Sequence, residues 1–249
     1  MTEADVHATL TEHLIQHLRH THADAGEVRV VHTHISTVLL AGDFAYKLKR
    51  PVRLPFLDFS TLERRHHFLQ EELRLNRRTA SELYLDLLPI TGQPDAPRLG
   101  GNGPAIEWAL RMRRFGPGGE FRAMAEAGTL TPHHIDALAD HLAAFHLALP
   151  ASAPVAGGSL LRWASDSLDE VAASAQRPTT CAPADIKHLR KQLLTRLAHP
   201  QPSDAERQRD GWVRECHGDL HLGNLVEWQG RVMAFDALEF DPALRHTDV

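Results

Sequence analysis

Leucines and a valine recur every fourth position near the start of the chain (Val6, Leu10, Leu14, Leu18), behind a threonine at position 2. That period lines one face of a helix, and Thr2 supplies a capping oxygen, so the pattern predicts a helix to about Arg19. The period then changes. Glu27 to Thr33, Ser36 to Ala41 and Phe44 to Lys49 read as three strands, the last two joined by the tight turn Ala41-Gly42-Asp43. Pro51 and Pro55 keep the following stretch extended. Ser60-Thr61-Leu62-Glu63 has the form of a capping box and opens a helix through about Ala80. Tyr84 to Leu88 and Ala105 to Met112 are further strands, flanking a Gly/Pro-rich loop from Thr91 to Pro104. Together these segments predict a sheet of about five strands packed on a helix.

Past Arg113-Arg114-Phe115-Gly116-Pro117-Gly118-Gly119, a crossover, the pattern turns helical. Thr131-Pro132 places a cap before a proline at the first helical position, and Ile135, Leu138, Leu142, Phe145 and Leu149 form an apolar stripe. Further helices are expected near Leu160 to Ala173 and Ala184 to Leu197. Polar connections are expected at Pro150 to Gly158, Gln176 to Pro183 and His199 to Gly211. Near the end, Leu225 to Trp228 and Arg231 to Phe235 are short apolar-rich runs separated by Gln229-Gly230, a two-residue hairpin turn. A turn centred there pairs Leu225 with Ala234, sets Asn224 opposite Phe235, and brings Asp236 beside Asn224. An amide oxygen and a carboxylate placed together make a hard-oxygen site suited to Mg²⁺. Asp219, a little upstream of Asn224, is left to meet a substrate hydroxyl. The order of elements is that of an α+β protein.

With 249 residues and 43% apolar content, the chain can bury one two-lobed core or two small ones. No apolar run approaches the ~20 residues needed to cross a bilayer. Met1-Thr2-Glu3-Ala4-Asp5 lacks the plan of a signal peptide, so a cytoplasmic protein with no membrane partner is expected. Cys181 and Cys216 show no Cys-x-x-Cys spacing, which argues against a zinc knuckle or a disulfide framework. The formal charge of −5 argues against a nucleic-acid partner, since phosphate-backbone binders carry a basic excess. It leaves a cationic substrate open.

The segment His217-Gly218-Asp219-Leu220-His221-Leu222-Gly223-Asn224 matches the protein-kinase catalytic loop His-x-Asp-Leu-x-x-x-Asn. With an Asp at the end of the next hairpin, it resembles more closely the aminoglycoside phosphotransferase family of small-molecule kinases. Tyr46-Lys47-Leu48-Lys49-Arg50-Pro51-Val52, Phe56 to Arg65 and Leu75-Asn76-Arg77-Arg78 resemble one bacterial branch of that family, often fused to a P-loop nucleotide kinase domain. No Gly-x-x-x-x-Gly-Lys-Ser/Thr occurs in this chain.

The resemblance implies a protein-kinase-like, two-lobed fold. Residues 1–115 would form a nucleotide-covering lobe of antiparallel sheet plus helix. Residues 116–249 would form a mostly helical lobe with the catalytic loop and metal hairpin, incomplete at its C-terminus. It also implies ATP and Mg²⁺ as cofactors and a small hydroxylated molecule as substrate. Lys47 would pair with the α/β-phosphates and be held by a carboxylate on the following helix. Glu72, placed four residues before Asn76 as in the resembling branch, is the choice, and helix phase leaves Glu71 as the alternative. Asn224 and Asp236 would hold the metal, Asp219 would orient the hydroxyl and accept its proton, and the adenine would meet backbone near Met112 to Phe115. Asp248 would bond back to the catalytic loop. Glu239 is left open between metal, substrate and Arg245.

Two departures from protein kinases bear on the substrate. No Gly-x-Gly-x-x-Gly covers the phosphates, the first hairpin turning instead through His32-Thr33-His34-Ile35-Ser36. Asp236-Ala237-Leu238 replaces Asp-Phe-Gly, and no Ala-Pro-Glu follows, so a protein substrate is not expected. The 18 histidines raise a rival reading, a zinc hydrolase built from His217, Asp219 and His221 with His66-His67 or His133-His134. It lacks a His-Glu-x-x-His and leaves Lys47, Asn224 and Asp236 unused, so His217 reads as a scaffold that fixes the loop. A third reading is non-enzymatic: relatives of this family continue past Asp248 with further helices, and the chain would then be a nucleotide-binding fragment.

Overall fold

Thr2 caps the first helix, α1 (Glu3–Thr21), and the cap is reciprocal: its hydroxyl accepts from the Asp5 N–H at 3.2 Å while the Asp5 carboxylate accepts from the Thr2 N–H at 2.8 Å. The apolar face of α1 then does what its period predicts. Leu10, Leu14 and Leu18 are buried with Val28, Leu39, Ala41, Tyr46, Leu48, Ile90 and Ala109 against one face of a sheet.

That sheet is antiparallel and six-stranded. Its strands are β1 (Arg29–His32), β2 (Ser36–Ala41), β3 (Phe44–Lys49), β6 (Tyr84–Gln93), β7 (Ala96–Leu99) and β8 (Ala105–Arg113), in the order β1-β2-β3-β8-β6-β7. Between β3 and helix α2 (Leu62–Asn76) lie the short paired strands β4 (Arg53–Leu54) and β5 (Leu57–Asp58). The expected loop from Thr91 to Pro104 holds an additional hairpin instead. β6 runs on to Gln93 and returns as β7, with Gln93 paired to Ala96.

The cap of α2 differs from the expected one by a residue. Thr61, not Ser60, is the N-cap, its side chain accepting from the Arg64 N–H. Ser60 is drawn back by Asp58, whose carboxylate takes both its N–H (3.0 Å) and its hydroxyl (2.5 Å). Those bonds, with Arg64 nearby, lower the Asp58 pKa to about 2. The helix ends at Asn76 rather than Ala80, and turns follow.

The alternation of β3 positions the site. Tyr46 and Leu48 face the α1 core, which puts Lys47 and Lys49 on the opposite face, toward α2. There Leu69 of α2 packs with Leu83, Tyr84 and Leu110, and with Val226 and Met233 of the Leu225–Trp228/Arg231–Ala234 hairpin. Two further helices complete this body: α3 (Phe121–Glu126), which the pattern did not predict, and α4 (Pro132–Ala148). Phe121 and Met124 bury themselves against Leu225 and Ala234. On α4 the apolar stripe is partly covered: Phe145 is buried and Leu138 packs on the Phe121 cluster, while Ile135 is exposed.

The structure is a computed structural model that describes residues 2–21, 27–54, 56–153, 165, 168–169, 183–198 and 202–249. It divides into two compact units, Met1–Leu147 with His217–Asp241 and Ala148–Cys216 with Pro242–Val249. The second unit has helices Pro183–Ala198 and Pro202–Arg209, and strands Val213–Glu215 and His246–Asp248 paired antiparallel. A polar connection was expected where the Pro202–Arg209 helix lies. The helix expected near Leu160 to Ala173 falls almost wholly outside the described residues, as do Pro55 and Cys181. No helix among the described residues is long and apolar enough to cross a membrane.

Candidate active site

The hairpin that carries the site has the register read from its turn. Leu225 pairs with Ala234 and Trp228 with Arg231, while Gln229 (φ 52°) and Gly230 (φ 74°) occupy the left-handed region that a tight two-residue turn requires. The Phe235 N–H donates to the Asn224 carbonyl at 2.9 Å, which sets Asn224 and Asp236 at one end of the hairpin.

The loop before it is held by His217. This ring is almost fully buried, and its Nε2–H donates to the Phe235 carbonyl at 3.0 Å while its Nδ1 accepts from the Asp219 N–H at 3.3 Å. Burial lowers its pKa below the usual histidine value, against the pull of the Phe235 carbonyl and of Asp236 and Asp219. A neutral ring in this tautomer braces the loop and has no lone pair left for a metal, the role expected of a scaffold. Gly218 sits at φ 84°, a conformation costly for a residue with a Cβ. Asn224 closes the loop: its Nδ2 donates to the Asp219 carbonyl (2.9 Å) and carboxylate (3.1 Å). The amide is thereby oriented, and Oδ1 is its oxygen-donor end.

Lys47 joins this end of the hairpin to α2. Its Nζ lies 2.7 Å from Glu72 Oε1 and 2.6 Å from Asp236 Oδ1. The Glu71/Glu72 alternative is thus resolved by geometry. Glu72 is fully buried on the sheet-facing side of α2, and Glu71, one position on, pairs with Arg74 on the exposed side. Burial opposes the charge on Lys47, yet the Asp236 and Glu72 carboxylates outweigh it and hold its pKa well above the usual lysine value. Partial burial opposes the charge on Asp236, and the same pairing with Lys47 outweighs it and lowers the Asp236 pKa.

Three groups that the sequence reading did not single out complete the arrangement. Lys49 bridges Glu72 Oε2 and Glu239 Oε1, both at 2.5 Å. Burial raises the Glu239 pKa, against the attraction of Lys49. Asn76, at the end of α2, donates to the Glu72 carbonyl (2.8 Å) and accepts from the Ala237 N–H (2.9 Å). The Tyr84 hydroxyl accepts from the Asp236 N–H at 3.0 Å. A second lysine two positions after the first, in a strand otherwise reading as buried, was the available signal for Lys49. Neither the Asn76–Ala237 nor the Tyr84–Asp236 bond could be read from local pattern, because each joins residues more than 150 positions apart in sequence.

Lys47, Tyr84, Asn224 and Asp236 line one cavity of about 590 Å³ within the larger unit, with Met112, Arg113 and Phe115 on its wall. Its size is in the range of small-molecule sites. The metal question turns on the donor set. Asn224 Oδ1 and the Asp236 carboxylate are hard oxygens on adjoining positions of one cavity, which fits Mg²⁺ with water and phosphate oxygens as remaining ligands. Asp219 is half exposed, with its carboxylate 3.7 Å from His221 Nε2. Asp248 belongs to the smaller unit, where its carboxylate is held by Arg207 at 2.6 Å. Among the histidines of the rival zinc reading, His66 stacks on Trp108 and His134 contacts Phe121 and Glu227.

Residues 52–235 match the model of the phosphotransferase enzyme family, and the chain belongs to that family. Among curated proteins it is 28% identical over 235 residues to uncharacterised proteins of Mycobacterium tuberculosis H37Rv and Mycobacterium bovis. The alignment covers 92% of this chain and 45% of theirs, so the chain spans about half the length of those relatives. Similar solved structures include a choline/ethanolamine kinase family protein from Mesorhizobium loti, at 14% identity and a TM-score of 0.47, covering 93% of this chain and 65% of that one. Another is the ADP-bound aminoglycoside phosphotransferase APH(2'')-Ib, at 16% identity and a TM-score of 0.41, covering 92% and 72%.

Proposed function

We propose that the chain carries the nucleotide and catalytic machinery of an ATP-dependent phosphotransferase acting on a hydroxyl of a small molecule. The observation that carries this reading is Lys47. A buried ammonium bridges a helix glutamate and the aspartate beside Asn224, at the wall of a cavity that also holds the loop asparagine. Family membership supports the reaction class, phosphoryl transfer. The acceptor is set by the site and not by the fold.

In this reading Lys47 exchanges Asp236 for α/β-phosphate oxygens when nucleotide enters, while Glu72 keeps its ammonium aimed. Asp236, released, and Asn224 would hold Mg²⁺, which when bound neutralises phosphate charge. Adenine would meet the main chain at Met112 to Phe115. Asp219 orients the acceptor hydroxyl. As its oxygen bonds to the γ-phosphorus and the bond to ADP breaks, Asp219 takes the hydroxyl proton.

The test is the Mg²⁺ dependence of ATP binding, measured by calorimetry. Mg²⁺ should tighten ATP binding in the wild type, and Asp236→Asn should remove that gain while circular dichroism stays unchanged. A folded Asp236→Asn protein with the full Mg²⁺ effect would overturn the metal assignment. ATP consumption across a panel of aminoglycosides, amino sugars and choline-like alcohols would then identify the acceptor.

A further inference from the structure

Lys49 is a charged group that the mechanism above leaves unused, and it is as deeply buried as Glu72. Its side chain is 0% exposed. A buried ammonium is costly unless it is paired and hydrogen-bonded, and well-packed apolar residues often serve stability equally well. The charge at this position therefore calls for a role beyond packing.

Its geometry supplies one. Lys49 and Lys47 share a face of β3, and one carboxylate serves both: Glu72 gives Oε1 to Lys47 at 2.7 Å and Oε2 to Lys49 at 2.5 Å. With Oε2 committed, the carboxylate cannot rotate without breaking the Lys49 bond, so Oε1 is presented to Lys47 in one orientation. Lys49 also reaches Glu239 at 2.5 Å, three positions beyond Asp236 in the same segment. The Phe59 ring lies 5.2 Å from its Nζ, closing the remaining side. Charges thus alternate along one chain of contacts: Asp236, Lys47, Glu72, Lys49, Glu239.

We propose that Lys49 is a positioning residue for nucleotide binding. By fixing Glu72 and Glu239 together, it sets the place of the phosphate-binding Lys47 relative to the segment that carries Asp236. The proposal rests on the phosphotransferase reading. Once Lys47 leaves Asp236 for phosphate, Glu72 is its remaining protein anchor, and Lys49 is what keeps that anchor from turning.

The experiment is a double-mutant cycle on MgATP affinity, read by calorimetry below the melting temperature of every variant. Lys49→Met should weaken MgATP binding about tenfold, the scale of one lost hydrogen bond to a charged group. In a Lys47→Met background the same change should add less than about twofold, because a residue acting through Lys47 has nothing left to act on. Lys49→Arg, which keeps the charge, should recover part of the loss. If Lys49→Met does not fold, Glu239→Gln carries the same cycle, with a smaller loss that again vanishes in the Lys47→Met background. A folded Lys49→Met protein with wild-type affinity overturns the proposal, as does an equal loss in both backgrounds, which would mark a general structural effect. A Lys47→Met variant that binds MgATP like wild type, or a wild type that binds none, overturns the phosphotransferase reading itself and the proposal with it.

Discussion

The β3–α2 face and the loop from His217 to Asn224 belong to one site and are built by opposite means. On the first, Lys47, Lys49 and Glu72 are buried and each charge is matched within 2.7 Å. On the second, the backbone is held by His217 and Asn224, while Asp219 is half exposed and Leu220 and Leu222 stand open to solvent. Groups that meet an invariant partner can be organised in advance, since their geometry never has to change. In the proposed reading Asp219 meets the acceptor, and a group with that task must stay reachable, its environment completed only when the acceptor arrives. On that reading the difference separates stability from chemistry, residue by residue.

The sharpest way to break that separation is Glu72→Ala. It takes one carboxylate from each of two buried ammonium groups, leaving Lys47 with Asp236 and Lys49 with Glu239, and removing one partner of a buried pair costs about 3–5 kcal/mol. Urea denaturation should show a loss of that order, large against the stability of a typical domain. A loss under about 1 kcal/mol would mean that water already screens the pair.

Asp219→Asn should do the reverse. Melting should stay near wild type and ATP affinity within a few fold, while acceptor-dependent ATP consumption falls by on the order of 10² or more. A matching drop in melting temperature or ATP affinity would show that the loop acid is structural after all.

The smallest effect concerns pH. His217 has a folded pKa below 6.5, so the unfolded chain binds more protons than the folded one between the two values. Its contribution to stability is therefore present above about pH 6.5 and is lost as pH falls through the folded pKa. Denaturation midpoints should drop across that window, and less steeply in His217→Gln. Lys47 and Asp236 contribute no slope there. The lysine, raised above 10.5, loses its contribution only at higher pH, and the aspartate, lowered below 3.8, only at lower pH. A wild-type slope retained in His217→Gln would assign the transition to another histidine.

Local chemistry was legible where neighbours in sequence decide it. The period of α1 and the Thr2 cap are local, and so is the Gln229-Gly230 turn, which sets the hairpin register and hence the adjacency of Asn224 and Asp236. The loop's bracing followed as well, because His217, Asp219 and Asn224 bond within a few positions of one another. Misreadings arose where two local signals competed. Ser60 and Thr61 both offer a cap, and Asp58 took Ser60 away. The Gly- and Pro-rich stretch after Thr91 reads as a loop because turn residues dominate it, although Ala96–Leu99 pairs with β6.

The sequence by itself pointed to the phosphotransferase family, to the hairpin and loop that carry Asp219, Asn224 and Asp236, and to the lysine that pairs with Asp236. Only the tertiary structure decided which glutamate meets that lysine, because one position on a helix turns a side chain by about 100° from core to solvent. It alone also revealed that Lys49, Asn76 and Tyr84 share the site, and that Glu239, whose partner the sequence left open, meets Lys49. A buried charge is tolerable only where partners surround it, and here those partners come from α2, β6 and the segment after Asp236, which folding alone brings to β3.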